Sequence, residues 1–157
     1  MTNMDISVRN MDKLQTELAE LLRRFPTAVQ RTSNFVAQST AQRAKNKVRK
    51  GTRTGKLFEL SNGAFHQASA PGEPPANLTG QLADSIKFTK MTSSPTSTAD
   101  AGSGLRKARI LELGGIARTD ARFGSRDVRI EPRPFLLPSF LEAIQAAETK
   151  LKDEVER

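Results

Sequence analysis

Hydrophobic and polar residues alternate at the start of the chain and then change to a helical period. Polar side chains separate Met4, Ile6 and Val8, and this period of two predicts a short β-strand. From Asn10, a candidate helix cap, apolar residues recur every three or four positions and predict an amphipathic helix. The apolar positions of this helix are Met11, Leu14, Leu18, Leu21 and Leu22.

A proline divides this helical region in the sequence-based prediction. Because proline disfavours the helical conformation at the residue before it, Phe25-Pro26 is expected to end the first helix. Pro26 suits the first turn of a second helix, which is expected to run to about Lys50 and to end at Gly51. One side of this second helix is apolar and carries Val29, Val36, Ala37, Ala41, Ala44 and Val48.

The middle of the chain contains the strongest loop signals. Glycine and proline recur throughout 51–79, and the run Pro71-Gly72-Glu73-Pro74-Pro75 cannot continue a helix or a central strand. We therefore expect a loop over 51–79. One helical turn is predicted to follow, feeding a strand that contains Ile86 and Phe88. The polar stretch 92–100 is expected to form a hairpin tip or a mobile loop.

The C-terminal part of the chain predicts two helices and a strand. A short helix is expected over 106–113, closed by Gly114-Gly115, and a polar excursion over 116–125. Alternation over 127–131 predicts a last strand, and Pro134 is expected to start a C-terminal helix. One face of that helix carries large apolar residues, namely Leu137, Phe140, Leu141, Ile144, Leu151 and Val155.

These elements predict an α+β fold in a single domain over 1–157. The expected architecture is a small antiparallel sheet with a long N-terminal helix pair and a C-terminal helix packed on it. The length of 157 residues fits one domain with one core. Long loops in so small a domain are usually functional or become ordered against a partner. The loops therefore favour a component of an assembly.

Composition argues against most kinds of catalytic site. The chain has no cysteine, which excludes disulfides, thiolate zinc sites and a cysteine nucleophile. His66 is its one histidine, too few for the usual histidine-rich metal sites. No apolar stretch approaches the ~20 residues that span a bilayer. The N-terminus lacks the apolar core of a secretory signal, so we expect synthesis in the cytoplasm without membrane insertion.

Two segments approach a catalytic motif without meeting its requirements. Gly51–Leu57 resembles a phosphate-binding loop, but the spacing is one residue short and Leu57 replaces the hydroxyl that would hold magnesium. Ser103 lies between two glycines but lacks the Gly-x-Ser-x-Gly spacing of a nucleophile elbow. The acidic residues Asp84, Asp120 and Asp127 are scattered. We therefore predict no enzyme activity, no cofactor and no metal.

The net charge of +8 is unevenly distributed. Residues 1–60 hold 12 basic and 5 acidic side chains, whereas 134–157 hold 3 basic and 5 acidic. This distribution is typical of a nearby polyanion or of subunits that pair faces of opposite charge, although a solvated surface with no partner also explains it. The basic cluster consists of Arg43, Lys45, Lys47, Arg49, Lys50, Arg53 and Lys56.

Two interpretations of the basic cluster stay open from the residues alone. The side chains could contact phosphate groups of DNA without reading its sequence. Alternatively, they form a solvated helix end, where cations are stabilised by the helix dipole. The absence of tyrosine and tryptophan argues against a stacking platform for single strands.

Several segments, taken in order, resemble a known family. Residues 6–14 (ISVRNMDKL) match its opening strand and first helix. The other matching segments are 70–75 (APGEPP) with 78–86 (LTGQLADSI), 108–115 (ARILELGG) and 133–140 (RPFLLPSF). Together they resemble the tail-component, or neck, proteins of long-tailed bacteriophages, which include tail-completion proteins of the lambda minor tail protein Z kind. The chain departs from that pattern where Ala108 replaces an aromatic residue, where Leu113 replaces phenylalanine, and where 53–57 partly duplicates the Thr-Gly-x-Leu motif.

The resemblance implies a structural virion protein. Such a subunit forms a ring, usually of six copies, that completes the tail at the head–tail junction and surrounds the DNA channel. Its implied partners are further copies of itself, neighbouring neck and tail-tube proteins and the passing genomic DNA, with assembly in the cytoplasm of the bacterial host. The implied structural or interface residues are Thr79, Gly80, Leu82, Glu112, Gly114, Arg133, Pro134 and Phe135. The alternative hypothesis is a soluble basic DNA-binding protein that acts as a monomer or dimer.

Overall fold

A long N-terminal helix begins the part of the chain that the computed structural model describes, which comprises residues 11–60, 62–92, 98–118 and 126–155. Helix α1 spans Met11–Arg49 and contains Pro26. The predicted break at Phe25-Pro26 is therefore wrong, and the predicted helix pair is one continuous helix. The predicted strand over residues 4–8 lies outside the described residues.

The continuity of α1 through Pro26 has a physical explanation. An internal proline costs about 3 kcal/mol because it removes one backbone hydrogen bond and crowds the preceding turn. Leu, Glu and Arg are the most frequent residues in the segment before it, and these residues favour helix. The segment after it packs against the rest of the protein. The predicted end at Gly51 is confirmed, since its N–H donates to the Val48 carbonyl at 3.3 Å.

The predicted loop over 51–79 contains a small hairpin that the sequence pattern did not indicate. Strands β1, Leu57–Glu59, and β2, Phe65–Gln67, pair antiparallel with Phe58 opposite His66. Gly63 makes the turn with a φ of 78°. Three-residue strands are too short to show a period of two, so local pattern carries no signal for them.

The predicted helical turn and the strand after it are confirmed. Helix α2 spans Gln81–Ser85 and leads directly into β3, Ile86–Thr89. Strand β4, Asp100–Ser103, pairs antiparallel with β3, so the polar stretch 92–100 connects the two strands of a hairpin. Residues 93–97 of that stretch lie outside the description.

The last elements largely follow the prediction. Helix α3 spans Arg106–Leu113, and β6 spans Asp127–Ile130, as expected. Strand β5, Gly115–Arg118, pairs antiparallel with β6, so residues 116–118 are strand instead of the predicted excursion. Helix α4 spans Leu136–Val155 and begins two residues after Pro134. The fold is α+β as predicted, but its strands form three two-stranded sheets.

The core lies where α1 meets β3, α3 and the start of α4. Ala44 and Val48 of α1 pack there with Ile86 and Phe135, and each of these four side chains is at most 1% exposed. At the far end of β3, Asn34 of α1 accepts from the Met91 N–H at 2.6 Å and donates to the Met91 carbonyl at 3.2 Å. The Asn34 side-chain amide thus pairs with the Met91 backbone as a neighbouring strand would. This pair connects the segment that follows β3 to α1.

Helix α4 runs antiparallel to α1 and packs on it through small side chains. Among the described side chains of α4, the buried ones are Ser139, Ala143 and Ala147. Near the start of α4, Glu142 binds Lys47, and near its end the Lys150 ammonium lies 5.1 Å from the ring centre of Phe35. Small residues at this spacing allow the two helices to approach closely.

Candidate assembly surface

A glutamate holds the beginning of α4 against the end of α3. The Glu112 carboxylate accepts hydrogen bonds from the N–H groups of Phe135, Leu136 and Leu137 at 2.8, 2.9 and 2.8 Å. These N–H groups have no partner within the helix, and a negative charge at a helix N-terminus is stabilised by the helix dipole. Glu112 therefore caps α4 from another element and sets the position of that helix.

Arg133 and Phe135 extend this connection to the loop and the core. The Arg133 N–H donates to the Leu111 carbonyl at 2.6 Å, and its Nε donates to the Ser69 carbonyl at 3.1 Å. Phe135 is fully buried. Two separate segments that carry the family resemblance, 108–115 and 133–140, are thus in direct contact, and they form the support for α4.

Glycine is required at two other positions that carry the resemblance. Gly114 follows α3 with a φ of 73°, and a Cβ there would lie 3.0 Å from Cδ of Pro132. Gly80 precedes α2 with a φ of 79°, and its N–H donates to the Asn77 side chain at 2.8 Å. Leu82 is buried in the core, whereas Thr79 is exposed. Gly80, Leu82 and Gly114 therefore maintain the fold, whereas Thr79 lies on the surface.

A second carboxylate fixes the loop that follows α1. Glu73, in the Pro-Gly-Glu-Pro-Pro run, accepts from the Thr52 hydroxyl at 2.6 Å and from the Thr54 hydroxyl. These hydrogen bonds lower the pKa of Glu73. The same loop passes so close to the backbone that a Cβ on Gly51 would lie 2.2 Å from the Pro75 carbonyl oxygen. The Glu73 carboxylate therefore binds the segment Gly51–Leu57, which resembles a phosphate-binding loop.

The structure divides the basic cluster into two sets. Arg43 and Lys47 both bind Glu142, at 3.1 and 2.7 Å, and Arg49 binds Asp84 at 3.1 Å. These three cations join α1 to α4 and α2. A DNA-facing role for the cluster stays a prediction. The four other cations have no carboxylate partner within the described part of the chain: Lys45, Lys50, Arg53 and Lys56.

The bond between Glu142 and Lys47 gives a pH-dependent contribution to stability. Hydrogen bonding to Lys47, with a smaller contribution from Arg43, lowers the pKa of Glu142 from 4.5. A carboxyl whose pKa is lower in the folded state stabilises the protein above its unfolded-state pKa and loses that contribution as the pH falls. We expect wild-type stability to decrease as the pH falls from 4.5 toward the lowered pKa.

The measurement compares Glu142→Gln with wild type by urea denaturation between neutral and acidic pH. Glu142→Gln should show a smaller loss of stability on acidification. Glu148→Gln is a control on the exposed side of the same helix and should behave as wild type. An equal pH dependence of Glu142→Gln and wild type would contradict this assignment.

The described side chains that the sequence offered for catalysis lie in separate contacts. Ser103 shares a hydrogen bond of 2.7 Å with the Ser85 hydroxyl, and His66 has no hydrogen-bonded serine or carboxylate in the described ranges. Asp84 binds Arg49, and Asp127 is exposed in β6, whereas Asp120 lies outside the description. Among the described residues, no group of three or more His, Asp or Glu side chains could hold a metal ion.

His66 instead lines an apolar cavity of about 420 Å³. The cavity lies between the β1–β2 hairpin, the loop before α2, and β6, and its walls include Phe58, Leu78 and Val128. The hydroxyl of Ser69 is buried at its wall without a hydrogen-bond partner in the described structure. Lys107 and Arg133 also line the cavity; the Lys107 ammonium donates to the Gln81 side chain at 3.2 Å, and Nε of Arg133 donates to the Ser69 carbonyl at 3.1 Å.

The first third of α1 exposes a stripe of large apolar side chains. They recur at helical spacing, and each is between 54% and 63% exposed. The members of this α1 stripe are Leu14, Leu18, Leu21, Leu22 and Phe25. Full burial of such a side chain contributes about 1.5–3 kcal/mol, so covering the exposed half of five would contribute about 4–8 kcal/mol. An uncovered stripe of this size is typical of an interaction surface.

Helix α4 exposes a second stripe of large apolar side chains. Leu137, Phe140 and Leu141 are 58%, 42% and 53% exposed, and Ile144 continues this α4 stripe as a partly buried residue. The predicted apolar face of the last helix is confirmed over 137–144, whereas the side chains of Leu151 and Val155 lie outside the described part of the chain. The buried positions of α4 are instead Ser139, Ala143 and Ala147 among the described side chains. Sequence periodicity identified the α4 stripe without indicating that it stays uncovered.

Comparison with protein-family models, with curated proteins and with solved structures gave no match to this chain. No helix in the described ranges is long and apolar enough to cross a membrane.

Proposed function

We propose that this chain is a non-enzymatic structural protein of a long-tailed bacteriophage that assembles with copies of itself into a ring. The ring, with six copies as the expected number, completes the tail at the head–tail junction and surrounds the DNA channel. Its partners are neighbouring neck and tail-tube proteins and the passing DNA. It is assembled in the bacterial cytoplasm and remains in the virion, and no membrane is among its partners.

The observation that carries this proposal is the pair of exposed apolar stripes on α1 and α4. A subunit that works alone gains nothing from leaving eight large apolar side chains of two helices 42–63% exposed. A subunit of a ring covers them with its neighbours. The Glu112 cap supports the same interpretation, because it fixes α4 and makes the α4 stripe a rigid surface.

The resemblance to neck proteins gains a physical basis from the contacts between its segments. Glu112 and Phe135 belong to different segments and are joined by a hydrogen bond of 2.8 Å. Glu73 connects the segment 70–75 to the end of α1. The residues that carry the resemblance therefore form a connected scaffold, as expected if they maintain one subunit fold.

The test removes the coding sequence from the phage genome that carries it and examines the lysate by electron microscopy. The proposal predicts DNA-filled heads and unattached tails, and expression of the intact chain from a plasmid should restore joined particles. Joined, infectious particles in the absence of the chain would contradict the proposed function.

The four cations without a carboxylate partner in the described ranges, Lys45, Lys50, Arg53 and Lys56, support the alternative function of a soluble DNA-binding protein. Each phosphate contact contributes about −0.9 to the slope of log affinity against log salt for duplex DNA, so four contacts would give a slope of about −3.6. The discriminating variant replaces Lys45, Lys50, Arg53 and Lys56 with Glu. Its control makes the same charge change on other exposed cations, namely Lys87, Lys90, Arg106 and Arg109.

We expect both fourfold variants to show the same shallow salt dependence, because a channel wall contacts DNA weakly as an isolated subunit. A slope of about −3.6 that disappears in the first variant and persists in the control would support the DNA-binding alternative. Fluorescence anisotropy of a labelled duplex over a range of salt concentrations measures the slope.

A further inference from the structure

We infer that the apolar cavity between the β1–β2 hairpin and β6 binds a small anionic amphiphile, that is, an apolar chain or ring that ends in a carboxylate. The inference goes beyond the proposed function, because it concerns one subunit and does not depend on assembly. The cavity volume of about 420 Å³ lies within the range of about 300–1,000 Å³ that is usual for small-molecule sites.

The walls of the cavity come from two hairpins and from the core. Phe58 and His66 are opposite each other in the register of β1 and β2, and both line the cavity. Val128 and Ile130, also in the wall, are two residues apart in β6 and therefore lie on the same side of that strand. Val48 of α1 is only 1% exposed and lines the cavity as well, so the cavity extends down to the core.

The apolar part of the lining favours an apolar ligand body. Phe58 and Leu78 line the cavity and are nevertheless 52% and 53% exposed. An apolar chain bound there would remove part of this surface from water. Each methylene group that becomes buried should raise the affinity about fourfold.

The charged side chains in the wall are both basic among the described residues. Lys107 and Arg133 line the cavity, and no aspartate or glutamate in the described ranges does so. The Lys107 ammonium donates to a neutral side-chain oxygen of Gln81. The Arg133 guanidinium donates to the backbone carbonyls of Ser69 and Glu131, at 3.1 and 3.4 Å.

Neither Lys107 nor Arg133 forms an ion pair with a carboxylate of the described part of the chain. Two positive charges beside an apolar cavity attract an anionic group and disfavour a cationic one. An apolar body with a carboxylate end satisfies both features of the wall. The geometry therefore favours this ligand class over a neutral or a cationic amphiphile of the same length.

Isothermal titration calorimetry of the intact chain tests the ligand class with probes that differ in one property. Decanoate, decanol and decyltrimethylammonium share a ten-carbon chain, and all are used below the concentration at which they form micelles. We expect decanoate to bind about fivefold more tightly than decanol, because the alcohol lacks the charge. Octanoate, which is two methylenes shorter, should bind about fifteenfold more weakly than decanoate.

A pair of variants on β5 and β6 locates the binding site. Val128→Asp places a negative charge in the cavity wall and should weaken decanoate binding at least tenfold. The matched control is Ile116→Asp on β5, since Ile116 is 71% exposed, is paired with Arg129 and does not line the cavity. The control should bind decanoate as wild type does, and circular dichroism checks the fold of both variants.

A second pair of variants tests the role of the basic side chains without changing the apolar wall. Lys107→Gln should lower the preference for decanoate over decanol about two- to fivefold. Arg109→Gln removes a cation from the same helix at a position that does not line the cavity, and it should keep the wild-type preference.

Three results would overturn the inference. Equal affinity for the three ten-carbon probes, or equal losses in Val128→Asp and Ile116→Asp, would show that the probes bind other apolar surfaces, such as the α1 and α4 stripes. Decanoate binding that requires Phe123→Ser would show that residues 119–125 of the chain itself occupy the cavity. No binding of decanoate by wild type below micelle formation would show that the cavity takes no such ligand.

Discussion

Phe135→Ala is expected to lower the free energy of unfolding by about 3–5 kcal/mol. Phe135 is fully buried and packs with Val48 and Ile86 at the point where α1, β3 and the start of α4 meet. Truncating a buried phenylalanine removes its transfer free energy and leaves a cavity that neighbours fill only in part. Urea denaturation followed by circular dichroism measures the loss.

Phe140→Ala is the matched control for this prediction. Phe140 lies five residues further along the chain and is 42% exposed, so its truncation should cost only about 1–2 kcal/mol in the unassembled chain. Equal losses in the two variants would show that Phe135 does not hold the core position described above.

Glu112→Ala is expected to lower the free energy of unfolding by about 2–4 kcal/mol. It removes the acceptor of three backbone N–H groups, those of Phe135, Leu136 and Leu137. Hydrogen bonds to a charged acceptor contribute about 1.5–3 kcal/mol each. The total is smaller than three full bonds because Leu137 is exposed and its N–H can bind water once the carboxylate is gone.

Two further variants show whether the effect arises from the cap. Glu112→Gln keeps an acceptor oxygen without the charge and should lose about half as much stability as Glu112→Ala. Glu148→Ala removes an exposed carboxylate from α4 and should stay near wild type. A Glu112→Ala variant as stable as Glu148→Ala would contradict the role of Glu112 in positioning α4.

Local sequence signals were sufficient for elements whose end is marked by glycine or whose apolar and polar residues alternate. Gly114-Gly115 marked the end of α3, and the alternation at Val128 and Ile130 marked β6. Pro26 gave an equally local signal that proved wrong, because packing of the later part of α1 outweighs the cost of one proline. The three-residue strands β1 and β2 had no period to detect.

Contacts between distant residues could not be predicted from periodicity. Glu112 and Phe135 were both identified as structural or interface residues through the resemblance, but nothing in the sequence showed that they touch. The apolar face of α4 was predicted correctly as a pattern. The side of α4 that packs on α1 carries the small residues Ser139, Ala143 and Ala147, which permit a close approach of the two helices. A prediction based on hydrophobicity alone would bury the large apolar residues instead.

The mass of the native wild-type chain tests self-assembly most directly. Native mass spectrometry at increasing protein concentration should show species that are multiples of 17.2 kDa and converge on a closed ring, about 103 kDa for six copies. Leu18→Glu with Leu21→Glu should return the mass to that of one chain. A wild-type chain that stays monomeric at every concentration, with both apolar stripes exposed, would contradict the account.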